Sequence, residues 1–171
     1  MFKIIFQYKW WLVAWLLINL AQAFFTNLHY DEAYYWLYSK ILNWGYFDHP
    51  PLVALISKIG VTISHSTLGL RIIPILMGVI VLIGILKLAH DDSDKMNLFL
   101  YIISFPLITS HIAGFLTLPD ASLCFFFIFF LFFYKKYLQE DSLNNVLILS
   151  LVVAAMIYSK YHAFLIIAFT I

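Results

Sequence analysis

Charge is what this chain has least of. Of its 171 residues only 11% are Asp, Glu, Lys or Arg, whereas 64% are hydrophobic and the mean hydropathy is +0.93. A soluble domain carries about 25% charged and 45–50% apolar residues, so this chain has too little polar surface to cover a globule in water. Its net charge of +1 gives no electrostatic case for nucleic acid. Cysteine is almost missing as well. The single Cys124, inside an apolar run, excludes a disulfide framework and a thiolate metal site and is expected to serve as a small buried hydrophobe. His29, His65, His90, His111 and His162 show no paired spacing such as His-x-x-x-His, so no metal centre is expected from the sequence. Repeats, low-complexity linkers and any composition shift that would mark a second domain are also lacking.

What is abundant is aromatic and aliphatic. The 17 Phe, 11 Tyr and 5 Trp suit lipid-facing and interfacial positions, where rings with one wet edge collect. An all-α integral membrane protein follows. Five complete spans are expected near Trp10–Phe25, Leu68–Leu88, Asn97–Leu116, Ala121–Tyr134 and Val146–Tyr158, with a further one opening near His162. The fourth is short at its apolar core and draws on flanking residues to cross about 30 Å of hydrocarbon. Lys3 and Lys9, ahead of an apolar stretch ending in Ala21-Gln22-Ala23, imitate a signal peptide, but the run continues through Phe25 and reads better as a retained helix. The last apolar run, from Ala163, breaks off at Ile171 at about half the length of a span. Residues 1–171 are therefore expected to be the N-terminal part of a longer multi-span domain.

Lys and Arg set the expected orientation. With the N-terminus cytoplasmic, Lys3, Lys9, Lys87, Lys95, Lys135 and Lys136 lie inside, and Lys40, Lys58, Arg71 and Lys160 outside. The cluster Asp91-Asp92-Ser93-Asp94 is then a solvated cytoplasmic turn. The first outer loop, about residues 26–67, is unlike a plain connection. Asp31 to Trp44 reads as an amphipathic helix, with Tyr34, Leu37, Tyr38, Ile41 and Trp44 on one stripe. Acidic Asp31 and Glu32 open it and Gly45 closes it. Pro50-Pro51 starts a second helix too short to span. Both should lie along the membrane surface.

Under this topology Asp31-Glu32, Asp48-His49, Asp120 and Lys160 converge on one outer face. Each has a plainer role open to it. Asp31 and Glu32 also complement a helix N-terminus, Asp48 and Asp120 also suit helix caps, and Arg71 and Lys160 also suit snorkelling anchors. Taken together, carboxylates and cations on one face suit acid–base chemistry beside a phosphate.

The string Tyr30-Asp31-Glu32-Ala33-Tyr34-Tyr35-Trp36, followed by Trp44-Gly45-Tyr46-Phe47-Asp48-His49-Pro50-Pro51-Leu52, resembles the first outer loop of a known family. This is the family of polyprenyl-phosphate-sugar-dependent glycosyltransferases, with the dolichyl-phosphate-mannose–protein mannosyltransferases and the bacterial aminoarabinose transferases, which share the type C glycosyltransferase fold. Leu70-Arg71, Leu118-Pro119-Asp120 and Ser159-Lys160-Tyr161 look like its later, weaker signatures. The resemblance implies a type C glycosyltransferase-like helical bundle whose outer first loop carries the interfacial helices. It also implies transfer of a sugar from a polyprenyl-phosphate donor to an acceptor hydroxyl on a protein, lipid or glycan, with inversion and with no cofactor.

Carried over by the resemblance, Asp31 is the general base, with Glu32 beside it in the catalytic pair as its structural or supporting member. Some relatives hold a lysine just before the Pro-Pro pair, where this chain has His49, so Lys160, Arg71 and His49 are the candidate ligands of the donor phosphate. Asp48 and Asp120 complete the active face. The implied setting is a cell (inner) membrane, with an extracytoplasmic active site, and the 171-residue piece alone is expected to be inactive. A lipid-linked-sugar transporter or a non-catalytic membrane assembly subunit is the alternative. A transporter would more often show Gly/Pro-broken helices near mid-membrane, and the expected spans show little of that apart from Pro106.

Overall fold

The computed structural model describes residues 2–88 and 114–170. Among the described residues the chain is helical throughout: α1 (Phe2–Phe25), α2 (Tyr30–Lys40), α3 (Leu52–Ile63), α4 (Thr67–Leu88), α5 (Pro119–Gln139), α6 (Leu143–Ser159) and α7 (Ala163–Thr170). An all-α membrane protein is what the composition demands. In a bilayer core a backbone must satisfy its own hydrogen bonds, and a helix does so within one segment. By length and composition α4 and α5 can each cross a membrane, and α1 counted together with α2 makes a third candidate. Two to three of the five expected spans are thus candidates among the described residues. α6, at 17 residues, is a shorter apolar helix at the lower end of the length that can cross. Nearly all of the span expected at Asn97–Leu116, with the acidic turn at Asp91 to Asp94 and with Pro106, lies outside the described residues. Its end is described, and residues 114–116 form a turn and a bend rather than helix.

The fourth span is longer than its apolar core suggested. Pro119 stands in the first turn of α5, where its missing N–H costs nothing, and the helix runs on through Lys135 and Lys136 to Gln139. Pro106 is not the only proline in the expected spans. Pro74 stands inside α4, and the helix continues through it, as membrane helices with packed neighbours can.

Without water to drive association, membrane helices hold together by close packing and buried polar contacts. Leu12, Trp15 and Ala23 of α1 pack on Ile75, Leu82 and Leu86 of α4, with Phe115 and Leu116 closing that cluster. Leu123 and Phe130 of α5 pack on Met156 and on Ala163. The tightest crossing joins α3 to α4. A methyl group built on Gly60 would run into the carbonyl oxygen of Gly69, and one on Gly69 into the carbonyl oxygen of Ser64. Both obstacles are backbone, so neither can step aside. Gly69→Ala should therefore lower stability by about 1–3 kcal/mol, read as a lower unfolding midpoint in detergent. An unchanged midpoint would show that the α3–α4 hairpin is looser than its packing indicates.

Candidate active site

α1 and α2 meet at a bend of 83°. His29 makes that corner. Its ring Nδ1 accepts the N–H of Asp31, while its own N–H donates to Glu32 Oε2 at 3.1 Å, a capping box that starts α2. One detail differs from expectation. α2 ends at Lys40, not at Trp44, because the chain folds back and the Tyr46 hydroxyl takes over the carbonyls of Tyr38 and Ile41, each at 3.0 Å. The Tyr46 ring stacks on Tyr38, 3.9 Å between centroids. The stripe of Tyr34, Leu37, Ile41 and Trp44 faces outward, and the residues buried against the rest of the protein are Glu32, Tyr35 and Ser39.

Glu32 lies at the centre of a buried network. Arg71, in the first turns of α4, donates Nε to Glu32 Oε1 at 2.9 Å and Nη2 to Oε2 at 2.6 Å. The remaining three N–H groups of Arg71 go to the carbonyls of Ala23, Thr26 and Asn27 at 2.8, 2.8 and 2.9 Å. Thr117 donates its N–H to Glu32 Oε1 and its hydroxyl to the carbonyl of Leu70. Both charged side chains are fully buried. Every donor of the guanidinium is used, so a phosphate could reach Arg71 only by displacing one of these acceptors. The network ties together the end of α1, the start of α2, the start of α4 and the approach to α5.

The other groups singled out in the sequence gather at the same end of the bundle. Asp48 Oδ1 accepts the hydroxyls of Tyr34 and Tyr38 at 3.0 and 2.9 Å, and the two hydroxyls also touch each other. His49 Nδ1 lies 3.0 Å from the same oxygen, close enough for an ion pair though poorly aligned for a hydrogen bond. His49 Nε2 meets the Tyr35 hydroxyl at 3.2 Å. These contacts, His49 first and then the tyrosines, hold the Asp48 carboxyl below the usual carboxylate range. Tyr35 is pushed the other way, by burial first and then by the negative charges of Asp31, Asp48 and Asp120. Three carboxylates thus act on one buried hydroxyl. Asp120, in the first turn of α5, holds Lys160 at the end of α6 through both oxygens, each 2.8 Å away. Sequence reasoning missed Tyr34, Tyr35 and Tyr38 as partners of this site. Tyr34 and Tyr38 were on view only as part of an apolar stripe, and Tyr35 only as part of the string that carries the resemblance.

Asp31 stands apart from the other carboxylates. Among the described residues its carboxylate accepts no hydrogen bond; His29 Nδ1 lies 3.6 Å from it, and 38% of the side chain is exposed. Beside the site lies an apolar groove of about 500 Å³ walled by Leu42, Trp44, Pro51, Leu52, Leu55 and Tyr158. Among the described residues no three His, Cys, Asp or Glu side chains come together at metal-binding distance.

With this geometry the family assignment follows. A family model described as dolichyl-phosphate-mannose-protein mannosyltransferase matches residues 48–171, most of the chain. The chain belongs to this family. No curated protein and no solved structure matches it. Family membership points to a membrane glycosyltransferase that uses a polyprenyl-phosphate sugar. The matched stretch begins at Asp48 and takes in His49, Arg71, Asp120 and Lys160. Asp31 and Glu32 precede it and enter the site through α2.

Proposed function

We propose that the protein transfers a sugar from a polyprenyl-phosphate donor to an acceptor hydroxyl at the extracytoplasmic face of a cell membrane, by a single displacement that inverts the anomeric carbon. The observation that carries this is the division of labour among four carboxylates at one end of the bundle. Glu32 is consumed by Arg71, Asp48 by two tyrosines and His49, and Asp120 by Lys160. Among the described residues Asp31 is the one carboxylate of the four that accepts no hydrogen bond, which leaves it the readiest to take a proton, as a general base must.

Lys160 is the cation best placed for the donor phosphate. It is 24% exposed and anchored to Asp120, so it can turn one N–H outward without giving up its partner. A fixed cation in a water-poor site stabilises the charge that gathers on the departing phosphate. His49, next to the apolar groove, adds a second donor when protonated. Arg71 acts at one remove, by holding Glu32 and hence the start of α2. The groove along Trp44, Leu52 and Tyr158 suits the first isoprene units of the donor.

A transfer assay with labelled polyprenyl-phosphate sugar tests the activity in the intact protein. Loss of label from the lipid with its appearance on a hydroxyl acceptor is expected. Movement of intact donor across the membrane without cleavage would make the protein a transporter. The face is tested separately. A reporter inserted after Ser64 should read outside and one after Asp141 should read cytoplasmic, and the reverse would put Asp31 on the wrong side.

A further inference from the structure

A second cavity, of about 320 Å³, opens where α2 crosses the α3–α4 turn, and none of the residues of the carboxylate site lines it. That volume is in the range of small-ligand sites. Trp36 and Lys40, one turn apart on α2, form one wall; Leu28, Val61 and Leu70 form an apolar floor. The polar part of the lining is His65, Ser66 and Thr67, and no carboxylate contributes. Lys40 Nζ sits 4.6 Å from the centre of the Trp36 ring, a cation–π contact that holds the ammonium over the cavity wall. Among the described residues no acidic side chain pairs with Lys40. The cavity therefore offers a cation with hydroxyl groups on one side and aliphatic surface on the other. It does so on a helix that turns through 83° from α1, in the loop segment that the sequence pattern lays along the membrane surface.

We propose that this cavity holds an anionic glycerophospholipid of the bilayer. Its phosphate meets Lys40 and the Thr67 hydroxyl, and the start of one acyl chain lies against Leu28, Val61 and Leu70. Charge complementarity selects the occupant. A basic residue at a membrane surface favours an anionic lipid by about fivefold over a zwitterionic one. Only a molecule with an attached chain covers the apolar floor. The lipid would fasten to the membrane surface the same helix that presents Asp31.

The test is lipid retention by the purified intact protein in native mass spectrometry, with phosphatidylglycerol and phosphatidylcholine of identical acyl chains. Wild type should keep phosphatidylglycerol about fivefold better. Lys40→Gln, on an exposed side chain, should abolish that preference while leaving the protein folded. Val61→Trp should fill the floor and reduce retention of both lipids. Glycerol phosphate without chains should not displace the bound lipid. A preference that survives Lys40→Gln would overturn the proposal. Displacement by glycerol phosphate would make this a site for phosphate alone and would overturn it as well. So would retention of polyprenyl phosphate in place of phosphatidylglycerol, which would make the cavity part of donor binding.

Discussion

Asp31→Asn in the intact enzyme is expected to lower turnover by about 10²-fold or more, with little change in donor affinity. The substitution keeps the shape of the side chain and removes the one carboxylate at the site that has no hydrogen-bonded partner among the described residues. A positioned base contributes about 10²–10⁴-fold, and Asp48 is the poorer base, because its Oδ1 accepts from Tyr34 and Tyr38 and its carboxyl is held below the usual carboxylate range. Lys160→Ala should look different. It releases Asp120 and removes the expected phosphate contact, so donor affinity and turnover should fall together. Asp31→Asn should leave the unfolding midpoint where it was, because Asp31 contributes no contact that ties elements together. Near-normal transfer by a correctly inserted Asp31→Asn protein would sink the general-base role and move it to another carboxylate.

The helices and the end of the bundle at which the chemistry-bearing residues meet were legible in the sequence, because hydrophobic run length and the spacing of polar breaks between runs report them directly. Asp120 and Lys160 were expected on one face from topology, and they are in contact. Who pairs with whom was not legible. Glu32 and Arg71 are 39 residues apart, and Asp120 and Lys160 are 40 apart, and only packing of separate helices decides such partners. Which residues of α2 meet the rest of the protein was not legible either, for a definite physical reason. Periodicity identifies an amphipathic helix without saying which medium takes the apolar side. In water that side turns into the protein. On a helix lying along a membrane surface that side turns away from the protein, and here Leu37 and Ile41 are exposed while Glu32 and Ser39 are buried. The end of α2 was misplaced because its cap is a tertiary contact, the Tyr46 hydroxyl folded back over Tyr38 and Ile41, where the sequence pattern pointed to Gly45.

Glu32 has two roles open to it, a part in the reaction or support of the loop, and a stability measurement separates them. As a member of the catalytic pair, Glu32 could be changed to Gln at the expense of turnover alone. In the structure the same change leaves the Arg71 guanidinium buried beside a neutral amide and turns an amide N–H toward donors on Arg71, His29 or Thr117. Breaking a buried ion pair from one side costs about 3–5 kcal/mol, which corresponds to an unfolding midpoint lower by roughly 10 °C. Arg71→Met should do similar harm from the other side, since it strands Glu32 and leaves the carbonyls of Ala23, Thr26 and Asn27 without their donor. Combining Glu32→Leu with Arg71→Met removes both charges at once and should cost less than the two single changes added together, the sign of direct coupling. Recovery should remain partial, because the three carbonyls and the N–H groups of His29 and Thr117 still lack partners. A Glu32→Gln protein that unfolds at the wild-type midpoint yet transfers no sugar would show that Glu32 works in the reaction itself and not as the pin of the loop.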